Sequence, residues 1–114
     1  MSNPSSSKEK LRPVVPHLIE LVDSVVFGDV WERKELSKRD RSMITIAALI
    51  AMRQTEQMRS HMEKGLANGI SADEISEIIT HLAFYAGCPA ALSAAGVAKP
   101  LFEEMGFLPK DPPA

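Results

Sequence analysis

The stretch that decides the fold reads SKRDRSMITIAALIAMR and runs from Ser37 to Arg53. Its first four residues form a variant of the helix capping box, and residues 43–52 are apolar nearly all round. An apolar run of this length is half of what a membrane crossing requires, so it predicts a buried core segment. We therefore expect a long helix from Ser37 to about Arg53, at the centre of a helical bundle.

Helix signals recur on both sides of this stretch. Apolar residues at helical spacing predict a helix over residues 14–27 that ends at Gly28. Asp29 is in position to cap a short second helical turn at residues 30–32, which makes the helix from Ser37 the third. Thr55 is in position to cap a fourth helix, and Gly69 follows where a left-handed terminator belongs. The pattern up to Gly69 is therefore one of helices separated by short turns.

The last third of the chain predicts two more helices. A full capping box at Ser71–Glu74 opens the fifth helix, and a sixth runs from Ala90 to Met105, where Pro100 is expected to kink or split it. No stretch alternates with the period of two that a strand requires. We expect an all-α, single-domain bundle of five to six helices.

Length and composition indicate one domain. The chain has 114 residues, of which 45% are apolar and 25% charged, the balance of a soluble globular domain. Small polar residues at the ends predict mobile tails at residues 1–10 and 109–114 around a helical domain at residues 11–108. Aromatic residues make up only 5%, which favours close helix-on-helix packing over a sheet.

Charge and cysteine content argue against several partners. Thirteen Lys and Arg against fifteen Asp and Glu provide no basic field for nucleic acid. The single cysteine, Cys88, cannot close an intrachain disulfide, and the first ten residues have no apolar stretch of the kind a secretory signal needs. We expect a cytoplasmic protein that binds neither nucleic acid nor membranes.

Histidines are the first candidates for acid–base chemistry, because imidazole titrates near neutrality. His61 falls on the apolar face of the fourth helix, where it is either a catalytic group or a core histidine bonded to a carbonyl. His81 lies on a polar face with Glu77 before it and Tyr85 after it. A Glu77–His81 contact would make a tuned proton donor, and the alternative is an ordinary surface pair. His17 is interpreted as a surface residue.

Metal and thiol chemistry have weaker signals. No two histidines are spaced three or four apart on one helix, so we expect neither a metal nor another cofactor. Cys88 stands just before Pro89 at a helix start, where the helix dipole could lower its pKa for redox or nucleophilic chemistry. A small buried thiol is the more frequent explanation.

Arginines cluster in the middle of the chain, and their planar guanidinium groups suit carboxylate recognition. We single out three as substrate-binding candidates: Arg33, Arg39 and Arg41. The alternative is that they are solvated or paired with neighbouring acidic residues.

Three motifs occur in order: W-x-R at residues 31–33, R-D-R-S at residues 39–42 and H-x-x-x-Y-A-G-x-P-A-A at residues 81–91. Together they resemble the carboxymuconolactone decarboxylase family over roughly residues 15–106. The resemblance implies an all-α subunit that assembles into homotrimers or homohexamers. It also implies one of two chemistries.

In the alkylhydroperoxidase-like branch of that family, a C-x-x-C pair precedes a histidine by four residues. Counting back from His61, those places hold Gln54 and Gln57, which have no redox chemistry. The sequence therefore argues against a dithiol peroxidase. Two alternatives remain open: a peroxiredoxin-type antioxidant protein that relies on Cys88 alone, and a non-catalytic oligomeric partner of another protein.

The decarboxylase branch implies a lactone with two carboxylates, from aromatic-compound breakdown, that loses carbon dioxide without a cofactor. This chain contains residues able to meet the needs of such a reaction: the arginines for the carboxylates, His61 or His81 as acid or oxyanion donor, and Tyr85 as a further donor. The chain departs from the family pattern at Ser93, where decarboxylases tend to carry another histidine. This departure leaves the identity of the lactone open.

Overall fold

The computed structural model describes residues 7–109, and within that range it is all-helical, which confirms the predicted fold class. Six α-helices are present, together with one π-helix and one 3₁₀ turn. Their bounds are α1 Ser7–Lys10, α2 Pro16–Leu21, the π-helix Val22–Phe27, the 3₁₀ turn Val30–Glu32, α3 Lys38–Ala51, α4 Thr55–Ala67, α5 Ala72–Leu82 and α6 Cys88–Glu104. The outer parts of the two predicted tails, residues 1–6 and 110–114, lie outside the described residues.

The chain divides into two compact units, Met1–Arg41 and Ser42–Ala114. In the first, α1 is joined to the π-helix by an ionic cluster. Lys8 Nζ lies 2.6 Å from Asp23 Oδ1, and Arg12 Nη2 lies 2.8 Å from both Asp23 Oδ2 and Glu9 Oε2. Hydrogen bonds from these cations hold the pKa of Glu9 and that of Asp23 below their ordinary values.

The helix predicted over residues 14–27 begins at Pro16, whose ring suits a first helical turn, and changes to a π-helix at Val22. It ends before Gly28, as predicted. A Cβ at Gly28 would lie 2.7 Å from the carbonyl oxygen of Ser24, so the chain turns here only because this residue has no side chain.

Helix α3 begins as predicted, because the Ser37 hydroxyl accepts a hydrogen bond of 3.0 Å from the backbone N–H of Asp40. The expectation that its apolar half is buried all round is wrong. Ile46 and Ile50 are fully buried, whereas Ile44 is 56% and Met52 64% exposed. One face of α3 therefore enters the core of the second unit, and the opposite face stays uncovered in this chain.

Helix α4 begins one residue earlier than expected. Gln54, not Thr55, is the N-cap, and its side chain makes no capping hydrogen bond. The end of α4 is as predicted: Gly69 has a φ of 102°, in the left-handed region that favours glycine. Gly65 permits a close approach, since a Cβ there would lie 3.1 Å from Ile46 Cδ1.

The capping box before α5 is confirmed in both directions. Glu74 donates its backbone N–H to the Ser71 hydroxyl at 3.0 Å, and Ser71 donates its own N–H to the Glu74 carboxylate at 2.9 Å. Ile75 of this helix is fully buried. The local signal at this position was therefore sufficient to place the helix start.

Helix α6 differs from expectation at Pro100. It runs unbroken from Cys88 to Glu104 with Pro100 inside it, so the alternative that Pro100 splits the helix is wrong, and the alternative that it kinks the helix stays a prediction. Leu101 and Phe102 are buried immediately after the proline, and this packing offsets the missing hydrogen bond. Among the described helices, none combines the length and apolar content needed to cross a bilayer.

Candidate functional site

His61 stands on the inward-turned side of α4. Met58 precedes it by three residues and Met62 follows it, and both methionines are fully buried, whereas His61 itself is half-buried. The helical spacing thus places one titratable ring at the border of a thioether-rich core. An imidazole in this position faces low-dielectric surroundings on one side and remains within reach of a ligand on the other.

The electrostatics of His61 follow from this placement. Burial lowers the pKa of the imidazole below its ordinary value of 6.5, and the positive charge of Lys64 lowers it further. The ring is consequently neutral at neutral pH, with one nitrogen that donates and one that accepts. A neutral imidazole is suited to donate a hydrogen bond to an oxygen that develops negative charge.

Gln54 and Gln57 occupy the positions that a dithiol pair would hold relative to His61. Both side chains are exposed around the first turn of α4. Amide side chains do not undergo thiol–disulfide exchange, so the first turn of α4 has no redox-active pair.

His81 and Tyr85 are brought together at the end of α5. The helix stops at Leu82, and the chain turns so that the two rings stack with centroids 4.7 Å apart and planes tilted by 32°. The predicted contact of His81 with Glu77 does not form: the ion pairs of residues 7–109 do not include this pair. The contact observed for His81 is therefore with the ring of Tyr85, which itself remains 78% exposed.

Cys88 is the first residue of α6, directly after Gly87, whose φ is 101°. The thiol is free and exposed, so its interpretation as a buried thiol is wrong. Within residues 7–109, no group of three or more His, Cys, Asp or Glu side chains is arranged to hold a metal ion.

The three predicted arginines lie in the first unit, around the start of α3. Arg41 Nη2 donates to the backbone carbonyl of Arg33 at 3.2 Å, which ties the first turn of α3 to the segment before it. Arg33 is exposed and lies 3.6 Å from Glu35, and Arg39 is half-buried and lies 3.9 Å from Asp40. The Arg41 side chain thus contacts the backbone of Arg33.

A groove that sequence reasoning missed runs between α5 and α6 in the second unit. Its volume is about 360 Å³, and its polar groups are Ser76, Thr80 and Lys99, against Ile79 and Phe102. None of the predicted site residues lines it. No sequence motif indicates the groove, because residues from two different helices line it.

Comparison with known proteins defines the class. The Carboxymuconolactone decarboxylase family model matches residues 16–100, and the chain belongs to this family, as its motifs indicated. It is 33% identical over 104 residues to the 4-carboxymuconolactone decarboxylase of Acinetobacter baylyi, covering 91% of this chain and 78% of that protein. Over 86 residues it is 29% identical to the nitrosuccinic acid decarboxylase of Metarhizium robertsii, covering 75% of this chain and 60% of that protein.

Proposed function

We propose that this protein is a cofactor-independent decarboxylase that acts on a small carboxylated lactone of the 4-carboxymuconolactone type. The observation that carries the proposal is His61, a half-buried neutral imidazole on an otherwise apolar helix face. Two related proteins whose names describe decarboxylases support the reaction class. The identity of the substrate, a carboxylated lactone, is the more specific part of the proposal.

The reaction places definite demands on the protein. The bond between the lactone skeleton and a carboxylate breaks, carbon dioxide leaves, and the electron pair moves through the unsaturated system into the lactone carbonyl. The resulting dienolate needs a hydrogen-bond donor at its oxygen, and then a proton on carbon. His61 meets the first demand, because its neutral ring donates an N–H and its desolvated position strengthens that bond.

His81 and Tyr85 are proposed to complete the proton transfer. Their stacked rings present an imidazole and a phenol hydroxyl side by side at the end of α5. Either group is chemically able to donate a proton to carbon or to the carbonyl oxygen.

Substrate carboxylates are proposed to bind Arg39 and Arg41, with Arg33 as a further cation. A guanidinium group offers two parallel N–H donors to a carboxylate, which fixes the orientation as well as the affinity. The bond from Arg41 to the Arg33 carbonyl restrains that guanidinium before any substrate arrives. Loss of either of the two principal arginines should therefore raise KM more than it lowers kcat.

Turnover of 4-carboxymuconolactone, followed by absorbance, tests the activity directly. We expect His61→Gln to lower kcat by ~10²–10³ with little change in the melting temperature, since it removes the imidazole proposed to donate to the dienolate oxygen and keeps a polar side chain. His17→Gln is the matched control: His17 is exposed, 3.5 Å from Glu20, and its replacement should leave kcat unchanged. If His61→Gln has the same turnover per folded molecule as the wild type, His61 has no catalytic role and the proposal is contradicted.

Homo-oligomerisation, as a trimer or hexamer, is also proposed. The second unit leaves several large apolar side chains uncovered, among them Ile44, Met52, Leu92 and Phe84, which are 56%, 64%, 71% and 84% exposed. Apolar surface of this extent is characteristic of an interface. Light scattering should give at least a trimer, Leu92→Asp should shift the distribution towards smaller species, and a monomer of 12.5 kDa at micromolar concentration would contradict the proposal.

A further inference from the structure

The peptide Asn68–Gly69, at the end of α4, combines two residues with a known chemical vulnerability. When glycine follows asparagine, the backbone nitrogen of the glycine is able to attack the side-chain amide carbon, because no Cβ shields the approach. Gly69 adopts a φ of 102°, and Asn68 is the C-cap of the helix with φ −89° and ψ 6°. The reactive pair therefore sits in an ordered turn.

Hydrogen bonds hold both reaction partners in this turn. The side-chain amide of Asn68 donates to the Ser42 hydroxyl at 3.0 Å, and Ser42 is fully buried. The backbone N–H of Gly69, which carries the attacking nitrogen, donates to the carbonyl of Leu66 at 3.2 Å. Ring closure requires both bonds to break, since the Asn68 side chain must swing from Ser42 towards its own backbone.

We propose that Asn68–Gly69 is a deamidation site whose rate is set by the hydrogen bond between Asn68 and Ser42. The nitrogen of Gly69 loses its proton and bonds to Cγ of Asn68, the bond from Cγ to the side-chain nitrogen breaks, and ammonia leaves with that proton. Water then opens the cyclic imide, delivering hydroxyl to one carbonyl and a proton to the nitrogen. The net reaction consumes one water and releases one ammonia.

Deamidation changes the local physics of the turn in two ways. The product carries a carboxylate at the C-terminal end of α4, where the helix dipole disfavours negative charge. The donor that faced Ser42 is also lost, so the contact between α3 and the end of α4 weakens. Where the imide opens to the isoaspartyl product, the extra backbone atom also disturbs the bond of 2.9 Å from the N–H of Ile70 to the carbonyl of Gly65.

The test is peptide mapping by mass spectrometry of the full chain, incubated in native buffer and in guanidinium chloride. Position 68 should deamidate slowly in the folded protein and much faster in denaturant. The other asparagine, Asn3, precedes Pro4 and is an internal control, because proline has no N–H to attack with. Equal rates at position 68 in the two conditions would overturn the proposal.

Variants separate the local bond from global stability. Ser42→Ala should raise the native rate about fivefold, the factor that one ordinary hydrogen bond contributes to an opening equilibrium, and should not alter the rate in denaturant. Ser42→Cys, which replaces the hydroxyl with a somewhat larger thiol that is a weaker acceptor, should act in the same direction. Ile75→Val is the control, because it truncates a buried side chain in α5 and leaves the Asn68–Ser42 bond intact. An acceleration by Ile75→Val equal to that of Ser42→Ala would contradict the proposal.

Discussion

The imidazole of His81 stacks on the phenol ring of Tyr85, with ring centroids 4.7 Å apart, although α5 ends between the two residues at Leu82. The turn after Leu82 keeps the rings in register: the backbone N–H of Tyr85 donates to the carbonyl of Leu82 at 3.1 Å. His81 therefore contacts an aromatic ring, and no ion pair between His81 and Glu77 is present within residues 7–109.

Substitutions at Tyr85 should separate the hydroxyl group from the ring. Tyr85→Phe keeps the stack and removes a hydrogen-bond donor, so we expect kcat to fall by ~10² with His81 still in place. Tyr85→Leu removes both and should cost more, and His81→Gln should alter the pH profile of kcat/KM. Steady-state kinetics across pH would measure all three, and full activity in Tyr85→Phe would rule out a role for the hydroxyl.

The free energy of unfolding should depend on pH through His61. Its pKa is lowered in the folded state, so below the ordinary value of 6.5 the unfolded chain binds more protons than the folded one. Stability contributed by neutral His61 is therefore present above that pH and is lost as the pH falls towards the folded-state pKa.

Denaturant unfolding of the wild type and His61→Gln between pH 7.5 and 5, a range around the ordinary histidine pKa, isolates this effect. The wild type should lose stability relative to the variant as the pH falls. If the difference in the free energy of unfolding between the wild type and His61→Gln does not change over this range, burial does not lower the pKa of His61.

The capping box of α5 should contribute measurably to stability. Ser71→Ala removes the hydroxyl that accepts from the backbone of Glu74, and we expect a loss of ~1 kcal/mol in the free energy of unfolding. Ser76→Ala, an exposed position inside the same helix, is the matched control and should be nearly neutral. Equal losses in the two variants would contradict the assignment of the cap.

Cys88 should be chemically accessible without being peroxidatic. The exposed thiol should react with a thiol-labelling reagent in the native protein. Hydroperoxide reduction should nevertheless be negligible, because Gln54 and Gln57 stand in the dithiol positions and no second cysteine is present to resolve a sulfenic acid. Rapid turnover with a dithiol reductant, lost in Cys88→Ser, would overturn this prediction.

Local signals account for the features that the sequence predicted correctly. The capping bonds of Ser37 and Ser71, the left-handed turn at Gly69 and the helix end at Gly28 all depend on residues within a few positions of one another. Such signals are readable in one chain because backbone geometry and short-range hydrogen bonds do not depend on the rest of the fold.

The features that sequence reasoning missed depend on residues far apart in the chain. Pro100 stays inside α6 because the packing of Leu101 and Phe102 outweighs a local helix breaker. The exposed face of α3, the partner of His81 and the groove between α5 and α6 likewise follow from which elements meet in space.

By itself, then, the sequence determined the helical class, most helix boundaries, the family and His61 as the leading catalytic candidate. Only the tertiary structure decided that this histidine is half-buried with a lowered pKa, that His81 stacks on Tyr85 and that the Asn68 amide bonds to buried Ser42. The physical reason is that burial and long-range contacts are properties of packed surfaces, whereas capping and periodicity are properties of neighbouring residues.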